Sequence, residues 1–83
     1  MPVQFASKSA SGNTVTVQVS NSNSVTQVVK VTVEATVDGE PTTLVSAWTP
    51  IPANSTAPVH IDAGAPVTFT ADQPDPTITV KGI

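Results

Sequence analysis

The sequence predicts an all-β domain, built as a β-sandwich of about seven antiparallel strands. Valines alternate with polar residues in several stretches, as side chains do on a strand with one buried face. Valine and threonine are the most frequent residues, whereas good helix formers such as Leu, Glu, Lys and Arg are scarce. Turn-forming residues recur at intervals of about 8–12 residues, a spacing typical of short strands in a sandwich. A small barrel is the main alternative.

The longest alternating stretch covers residues 25–39, and the other predicted strands are placed around it. Its inward set is Val25, Gln27, Val29, Val31, Val33, Ala35 and Val37. At about 3.3 Å per residue the alternation from Val25 to Val37 would extend over roughly 40 Å, well beyond the usual length of about 5–6 residues. We therefore expect a bulge or bend near Val28 and Val29.

Shorter strands are expected on the N-terminal side of that stretch. Residues 3–6 predict a first short strand, and residues 7–12 a small polar loop. Residues 13–20 alternate regularly and predict a second strand with three inward valines. Asn and Ser fill residues 21–24, and their side chains bond to nearby backbone groups in turns. The chain should therefore reverse or cross over before the long strand.

A hairpin is expected after the long strand. Asp38 and Gly39 form an Asp-Gly turn signal. Pro41 follows closely and predicts a loop slightly longer than the tightest hairpin. Residues 42–48 then predict a fourth strand that ends at Trp48 and is partly apolar on both faces.

The C-terminal part of the chain predicts a change of sheet and three more strands. Residues 49–56 carry two prolines, which belong in edge strands or connections because they cannot donate to a ladder. Residues 57–62 alternate, and the proline among them marks an edge position or a strand start. Residues 67–71 predict the next strand, residues 72–76 a stiff loop, and residues 77–81 the last strand.

Length and composition exclude several classes of protein. The 83 residues predict a single domain over residues 1–83. Without cysteine there is no disulfide, thiolate metal site or cysteine nucleophile. Only 11% of residues are charged, against about 25% in typical domains. Lys8, Lys30 and Lys81 lie far apart in the sequence and arginine is absent, so we expect no nucleic-acid partner.

The sequence also predicts no association with a membrane. The first residues lack both the basic and the apolar segments of a signal peptide. Nowhere do about 18 apolar residues run together. We expect a soluble chain that is either made in the cytoplasm or already trimmed.

Three segments of the chain carry a resemblance to a known family. These are the alternating valines and asparagine of residues 15–21, the long strand ending in Val37, Asp38 and Gly39, and residues 51–61 with their Pro-Ala-Asn-Ser-Thr connection. Over residues 13–80 the chain resembles immunoglobulin-like or fibronectin-III-like modules of bacterial or phage type. It is also similar to decoration or cement proteins of phage capsids and to repeats in bacterial surface proteins. The resemblance implies an immunoglobulin-like β-sandwich with a structural or binding role.

Trp48 and its proline-rich neighbours are the candidate partner contact. Aromatic residues make up only 4% of the chain. A lone tryptophan here either anchors the core, which is the commoner role, or marks a contact surface. The candidate contact residues are Trp48, Pro50, Ile51 and Pro52.

Other residues could carry chemistry, but each has a simpler interpretation. His60 and Asp62 share one strand face and could hold a metal, yet zinc needs three or four ligands. Asp62, Asp72 and Asp75 could offer oxygens to calcium, but their spacing matches no known loop. We expect ordinary solvated or turn-forming side chains, with no metal and no cofactor.

Catalysis and covalent modification are not expected either. His60 is the only imidazole that could activate a serine or threonine, and no Gly-x-Ser-x-Gly elbow is present. Asn54, Ser55 and Thr56 match a glycosylation acceptor, which a loop role explains equally well. Lys30 and Glu34 could form an isopeptide bond only if they faced the core, and they belong to the polar set.

The expected function is therefore structural. The leading hypothesis is a non-enzymatic module on a phage virion, a capsid decoration protein attached to the major capsid protein or another virion protein, with a homo-oligomer as a further possibility. The alternative is a cell-surface adhesion or carbohydrate-binding module of a larger bacterial protein, outside the cell or on its surface. A small hydrolase is a distant third.

Overall fold

The computed structural model describes residues 3–81, and every regular element among them is a β-strand. All strand pairings are antiparallel, and they form two sheets. The predicted all-β, antiparallel class is therefore confirmed, with eight strands instead of about seven. The strands are β1 (Val3–Ser11), β2 (Thr14–Asn21), β3 (Gln27–Val37), β4 (Glu40–Val45), β5 (Thr49–Ile51), β6 (Ser55–Asp62), β7 (Val67–Thr68) and β8 (Thr77–Val80).

The smaller sheet has the order β1-β2-β6 and is built on the alternating valines of β2. Val15, Val17 and Val19 are fully buried, as the sequence predicts. β2 pairs with β6 without a register shift. Pro58 lies within β6, and β6 is an edge strand of this sheet, so the predicted edge position is confirmed.

β1 is longer than the sequence suggests, and the predicted polar loop over residues 7–12 is wrong. The strand continues to Ser11 and pairs with β2, with a register shift between Phe5 and Ser7. Gly12 has a φ of 57° and closes the hairpin. Because backbone hydrogen bonds to β2 hold this edge strand, its serines need no apolar alternation.

β3 is the centre of the larger sheet, and two short strands lie end to end along each of its sides. On one side β4 pairs with the C-terminal half of β3 and β5 with its N-terminal end. On the other side β7 pairs with the C-terminal end of β3 and β8 with its N-terminal half. These pairings contain no register shift, so the bulge or bend expected near Val28 and Val29 is wrong. Partners along both sides keep all 11 residues of β3 extended.

The turn between β3 and β4 is tighter than Pro41 suggested. Val37 pairs with Glu40, which leaves only Asp38 and Gly39 in the turn. Both turn residues have positive φ, 51° and 82° respectively, the combination of a type I′ hairpin turn. The expected longer loop is wrong because Pro41 lies in edge strand β4, where a missing N–H is tolerated.

Two predicted strands are shorter in the structure. The strand predicted over residues 42–48 ends at Val45, and the one predicted over residues 67–71 is limited to Val67–Thr68. After β7 a local loop replaces the ladder. The Thr70 N–H donates to Oε1 of Gln73 at 2.9 Å, and the Gln73 N–H donates to the Thr70 carbonyl at 3.2 Å.

Apolar side chains from both sheets form one core cluster. The chain passes from the larger sheet to the smaller one between β5 and β6, so the predicted change of sheet at the proline-rich connection is confirmed. Val25, predicted to face inward, is 56% exposed because it precedes the start of β3. The buried apolar residues are Val3, Val15, Val17, Val19, Val29, Val31, Val33, Ala35, Ile51, Val59, Ile61 and Val67.

Candidate functional site

The solvent-facing side of the larger sheet, called the outer face from here on, is rich in threonine. Because Val29, Val31 and Val33 face the core, the residues between them face outward. Lys30 and Glu34 lie on either side of Thr32 at the middle of β3, and threonine is the most frequent residue at the other outward positions. The outward side chains and their cross-strand neighbours are Val28, Lys30, Thr32, Glu34, Thr36, Pro41, Thr43, Val45, Pro50, Thr68, Thr77 and Thr79.

Trp48 is exposed at one end of the outer face, where its ring contacts two lysines. Its side chain is 41% exposed, so the interpretation of Trp48 as a core anchor is wrong. The ring lies under two ammonium groups, with its centroid 4.9 Å from Lys30 Nζ and 5.9 Å from Lys81 Nζ. Val45, which is 52% exposed, and exposed Pro50 flank it in sequence. These five residues are called the Trp48 patch.

Ser46 explains why Trp48 leaves the sheet. Its N–H donates to the Val31 carbonyl at 2.8 Å, and its Oγ accepts the Val31 N–H at 2.9 Å. Backbone and side chain of one residue thus satisfy both polar groups of Val31, and the ladder is interrupted between β4 and β5. Thr49 Oγ1 then donates to the Ala47 carbonyl at 3.0 Å. Trp48 therefore lies in a compact bulge instead of a strand.

An open hollow of about 440 Å³ lies at the opposite end of the outer face. Glu34 and Asp72 contribute carboxylates to its wall, so it is called the acidic hollow. Glu34 is held in place by Thr43, whose Oγ1 donates to Oε1 at 2.9 Å and to Oε2 at 2.8 Å. The lining residues are Glu34, Thr36, Gly39, Pro41, Thr70, Asp72, Gln73 and Pro74.

The loop after β7 forms one wall of the acidic hollow and is fastened to β3. Gln73 Nε2 donates to Oγ1 of Thr36 at 3.1 Å. Thr70 Oγ1 donates to Oδ1 of Asp72 at 2.6 Å. This hydrogen bond, followed by one from the Asp72 backbone, lowers the pKa of the Asp72 carboxyl below its usual value. Asp72 is therefore a fixed negative charge beside the hollow at neutral pH.

The four predicted contact residues do not lie on one surface. Trp48, Pro50 and Pro52 are exposed. Ile51 is fully buried in the core, because its position opposite Gln27 turns its side chain towards the inner side of the sheet. Ile51 is therefore excluded as a surface contact.

His60 and Asp62 lie on the exposed side of the smaller sheet and have separate partners. His60 Nδ1 is 3.1 Å from Oγ1 of Thr16, and Oδ1 of Asp62 accepts the Gly64 N–H at 2.9 Å. Within residues 3–81 no group of three or more His, Cys, Asp or Glu side chains could hold a metal ion.

The isopeptide candidates are also kept apart. Lys30 and Glu34 are four residues apart along a strand, or about 13 Å. Lys30 Nζ lies over the Trp48 ring, whereas the Glu34 carboxylate accepts hydrogen bonds from Thr43. Each of the two side chains is thus held by a different neighbour.

A buried asparagine was missed at the sequence level, where Asn21 was assigned to a turn. Asn21 is 1% exposed and lines a second, polar hollow of about 270 Å³ with the exposed Asn54 of the glycosylation motif. The signal was present, because Asn21 continues the inward alternation of Val15, Val17 and Val19. A polar residue in that register must find hydrogen-bond partners inside the protein.

Fold and site together define a small, antiparallel, two-sheet protein with an exposed aromatic patch at one end of a threonine-rich face. In residues 3–81, no helix has the length and apolar character needed to cross a membrane. Comparisons with protein-family models, with curated proteins and with solved structures found no match.

Proposed function

We propose that this chain is a non-enzymatic binding module, an immunoglobulin-like sandwich that attaches to a large protein assembly. The proposed assembly is a phage capsid, with the chain on the virion surface as a decoration protein. Two sheets around a valine core and the resemblance of residues 13–80 to such modules support this proposal.

The observation that carries the proposal is the exposure of Trp48. A monomeric protein has little reason to place its only tryptophan in water, and aromatic anchors at the centre of a contact supply much of the binding energy. Ser46 and Thr49 hold the bulge in one conformation, so little conformational entropy is lost on binding. The threonine-rich outer face suits a contact surface, where charges are depleted.

The test is sedimentation of the purified protein with undecorated phage capsids. The protein should pellet with the capsids, and Trp48→Ala should weaken binding by at least about tenfold because truncated anchors are costly. His60→Ala, an exposed substitution on the smaller sheet, is the matched control and should bind like the wild type. Failure of the wild type to pellet with capsids would refute the capsid assignment.

Carbohydrate binding is the second candidate, and the same tryptophan favours it. An exposed indole can stack on the apolar face of a sugar ring, and the neighbouring threonine hydroxyls could bond to sugar hydroxyls. The chain would then be a cell-surface or extracellular module. A glycan array distinguishes the two candidates, because only this one expects a sugar signal that disappears with Trp48→Ala.

A further inference from the structure

We propose that the outer face is self-complementary and pairs with the outer face of a second copy of this chain. The two copies lie antiparallel about a two-fold axis, so that the Trp48 patch of each covers the acidic hollow of the other. This dimer goes beyond the proposed function and is independent of it, because the purified protein alone is sufficient for the test.

The order of charges along β3 supports a two-fold arrangement. Lys30, Thr32 and Glu34 all face outward, with the lysine and the glutamate equally spaced on either side of the threonine. An axis through Thr32 therefore places Lys30 of one copy opposite Glu34 of the second copy, and the reverse pair forms at the same time. A parallel arrangement would instead place like charges together, which costs affinity.

The shapes of the two ends also fit each other. The partly exposed Trp48 ring lies at the basic end, and the acidic hollow of about 440 Å³ at the other end is large enough to receive an indole ring. Pro41 and Pro74 give the hollow apolar surface. In the antiparallel dimer, Asp72 would face Lys81 of the second copy, and Glu34 would face its Lys30. In each half of the contact, the charges of one copy would thus face charges of opposite sign on the other copy.

The middle of the outer face is suitable for close packing. Threonines at positions 32, 77 and 79 offer methyl groups and hydroxyls without charge. The larger sheet is three strands wide along the 11 residues of β3, or roughly 10 × 36 Å between backbones, so the contact would be smaller than the roughly 800 Å² per partner of a standard interface. Because much of this face is polar, the dimer is expected to be reversible.

The dimer and the proposed attachment to an assembly would use the same surface. A second copy would cover Trp48 in the free protein, and a tighter-binding assembly would replace it. Self-pairing would thus keep the exposed aromatic ring out of water until the partner is present.

Sedimentation equilibrium of the full chain tests the proposal. The wild type should show a reversible monomer–dimer equilibrium. Lys30→Glu and Glu34→Lys should each raise the dimer dissociation constant by at least about tenfold, because each places like charges opposite one another. Trp48→Ala should weaken the dimer similarly. Ser9→Glu adds a negative charge on exposed β1 of the other sheet and should leave the dimer unchanged.

Charge reversal makes the test specific for the antiparallel arrangement. An equimolar mixture of Lys30→Glu and Glu34→Lys should dimerise again, because both cross-pairs are then opposite in sign. The double variant Lys30→Glu/Glu34→Lys should also recover dimerisation. Both side chains lie on the surface of the sheet, so each variant should remain folded. Thermal unfolding of each variant checks this.

Two outcomes would overturn the proposal. The first is a wild type that sediments as a monomer at millimolar concentration, which would mean that the face is open to other partners. The second is a dimer that is unaffected by the charge reversals and by Trp48→Ala, which would place the contact on a different surface.

Discussion

At the scale of single residues, Asn21 joins three parts of the chain. Its Nδ2 lies 3.0, 2.9 and 3.2 Å from the carbonyl oxygens of Val25, Ile51 and Pro52. Its Oδ1 accepts the backbone N–H of Asn23 at 2.9 Å and the Asn23 Nδ2 at 3.0 Å. One buried amide thus connects the end of β2 to the segment before β3 and to the crossing between the sheets. Such a fully satisfied polar group specifies the fold.

Asn21→Ala should therefore lower the free energy of unfolding by about 2–4 kcal/mol, because it removes the donor to the buried Ile51 carbonyl and to the part-buried Val25 and Pro52 carbonyls. Urea denaturation followed by circular dichroism measures the change. Asn13→Ala is the matched control, since Asn13 is exposed in the β1–β2 turn. Equal losses in the two variants would show that the Asn21 side chain has no special role.

A second residue-scale prediction concerns the lowered pKa of Asp72. Removing the Thr70 hydroxyl with Thr70→Val should raise the Asp72 pKa towards its usual range, because that hydrogen bond is the largest cause of the shift. A lowered folded-state pKa adds stability above the unfolded value, near pH 3.9, and this stability is lost as the pH falls through the folded pKa. The variant should therefore lose less stability on acidification.

The Asp72 pKa can be measured by carboxyl carbon NMR between pH 2 and 6, a window that spans the usual aspartate value of about 3.9. Thr68→Val, an exposed threonine two residues earlier, is the control and should leave the Asp72 titration unchanged. An unchanged midpoint in Thr70→Val would assign the shift to another cause.

At the scale of elements, the break between β4 and β5 depends on one serine. Ser46 is 7% exposed and supplies both a backbone donor and a side-chain acceptor to Val31. Its hydroxyl in turn donates to the Ala47 carbonyl at 2.8 Å. The bulge that exposes Trp48 is therefore an integral part of the larger sheet.

Ser46→Ala should lower the free energy of unfolding by about 1–3 kcal/mol, because it leaves the buried Val31 N–H without an acceptor. The emission of Trp48, the only tryptophan, should also change, since its bulge loses a hydrogen bond. Urea titration read by fluorescence measures both effects. Ser24→Ala, at an exposed turn position, should change neither quantity, and a stable Ser46→Ala protein would contradict the assigned role of the hydroxyl.

At the scale of the whole molecule, the sheet edges carry devices that discourage pairing with other chains. β4, β5 and β6 contain Pro41, Pro50 and Pro58 respectively. β1 has a register shift after Phe5, and the edge formed by β7 and β8 is interrupted. A protein with few charges needs such features, because regular edges promote aggregation.

Pro58→Thr should increase aggregation, because it returns an N–H donor to the open side of β6 and gives the edge a continuous ladder. Thioflavin T fluorescence and light scattering at neutral pH measure the effect. Pro66→Thr makes the same chemical change at an exposed site outside the strands and should remain soluble. Equal behaviour of the two variants would mean that Pro58 does not protect the edge.

The sequence predicted what depends on burial and missed what depends on backbone pairing. Alternating apolar residues identified β2, β3 and β6 because side-chain alternation reports directly on a buried face. The serine-rich half of β1 depends on backbone hydrogen bonds to β2, which side-chain pattern does not reveal. The Asp38-Gly39 turn was recognised, but its length was overestimated because Pro41 lies within edge strand β4. The Trp48 patch was predicted only in part. Ser46 decides which side chains leave the sheet, and this exposes Trp48 while Ile51 remains in the core.

Every lysine of this chain stacks on an aromatic ring, Lys8 on Phe69 and the other two on Trp48. Amine-directed reagents would consequently label two members of the candidate contact and neutralise their charge. Immobilising or fluorescently tagging the protein through primary amines would thus damage the Trp48 patch. Since the chain has no cysteine, a single thiol introduced by Ser24→Cys would give a unique attachment point that leaves the indole and its ammonium groups intact.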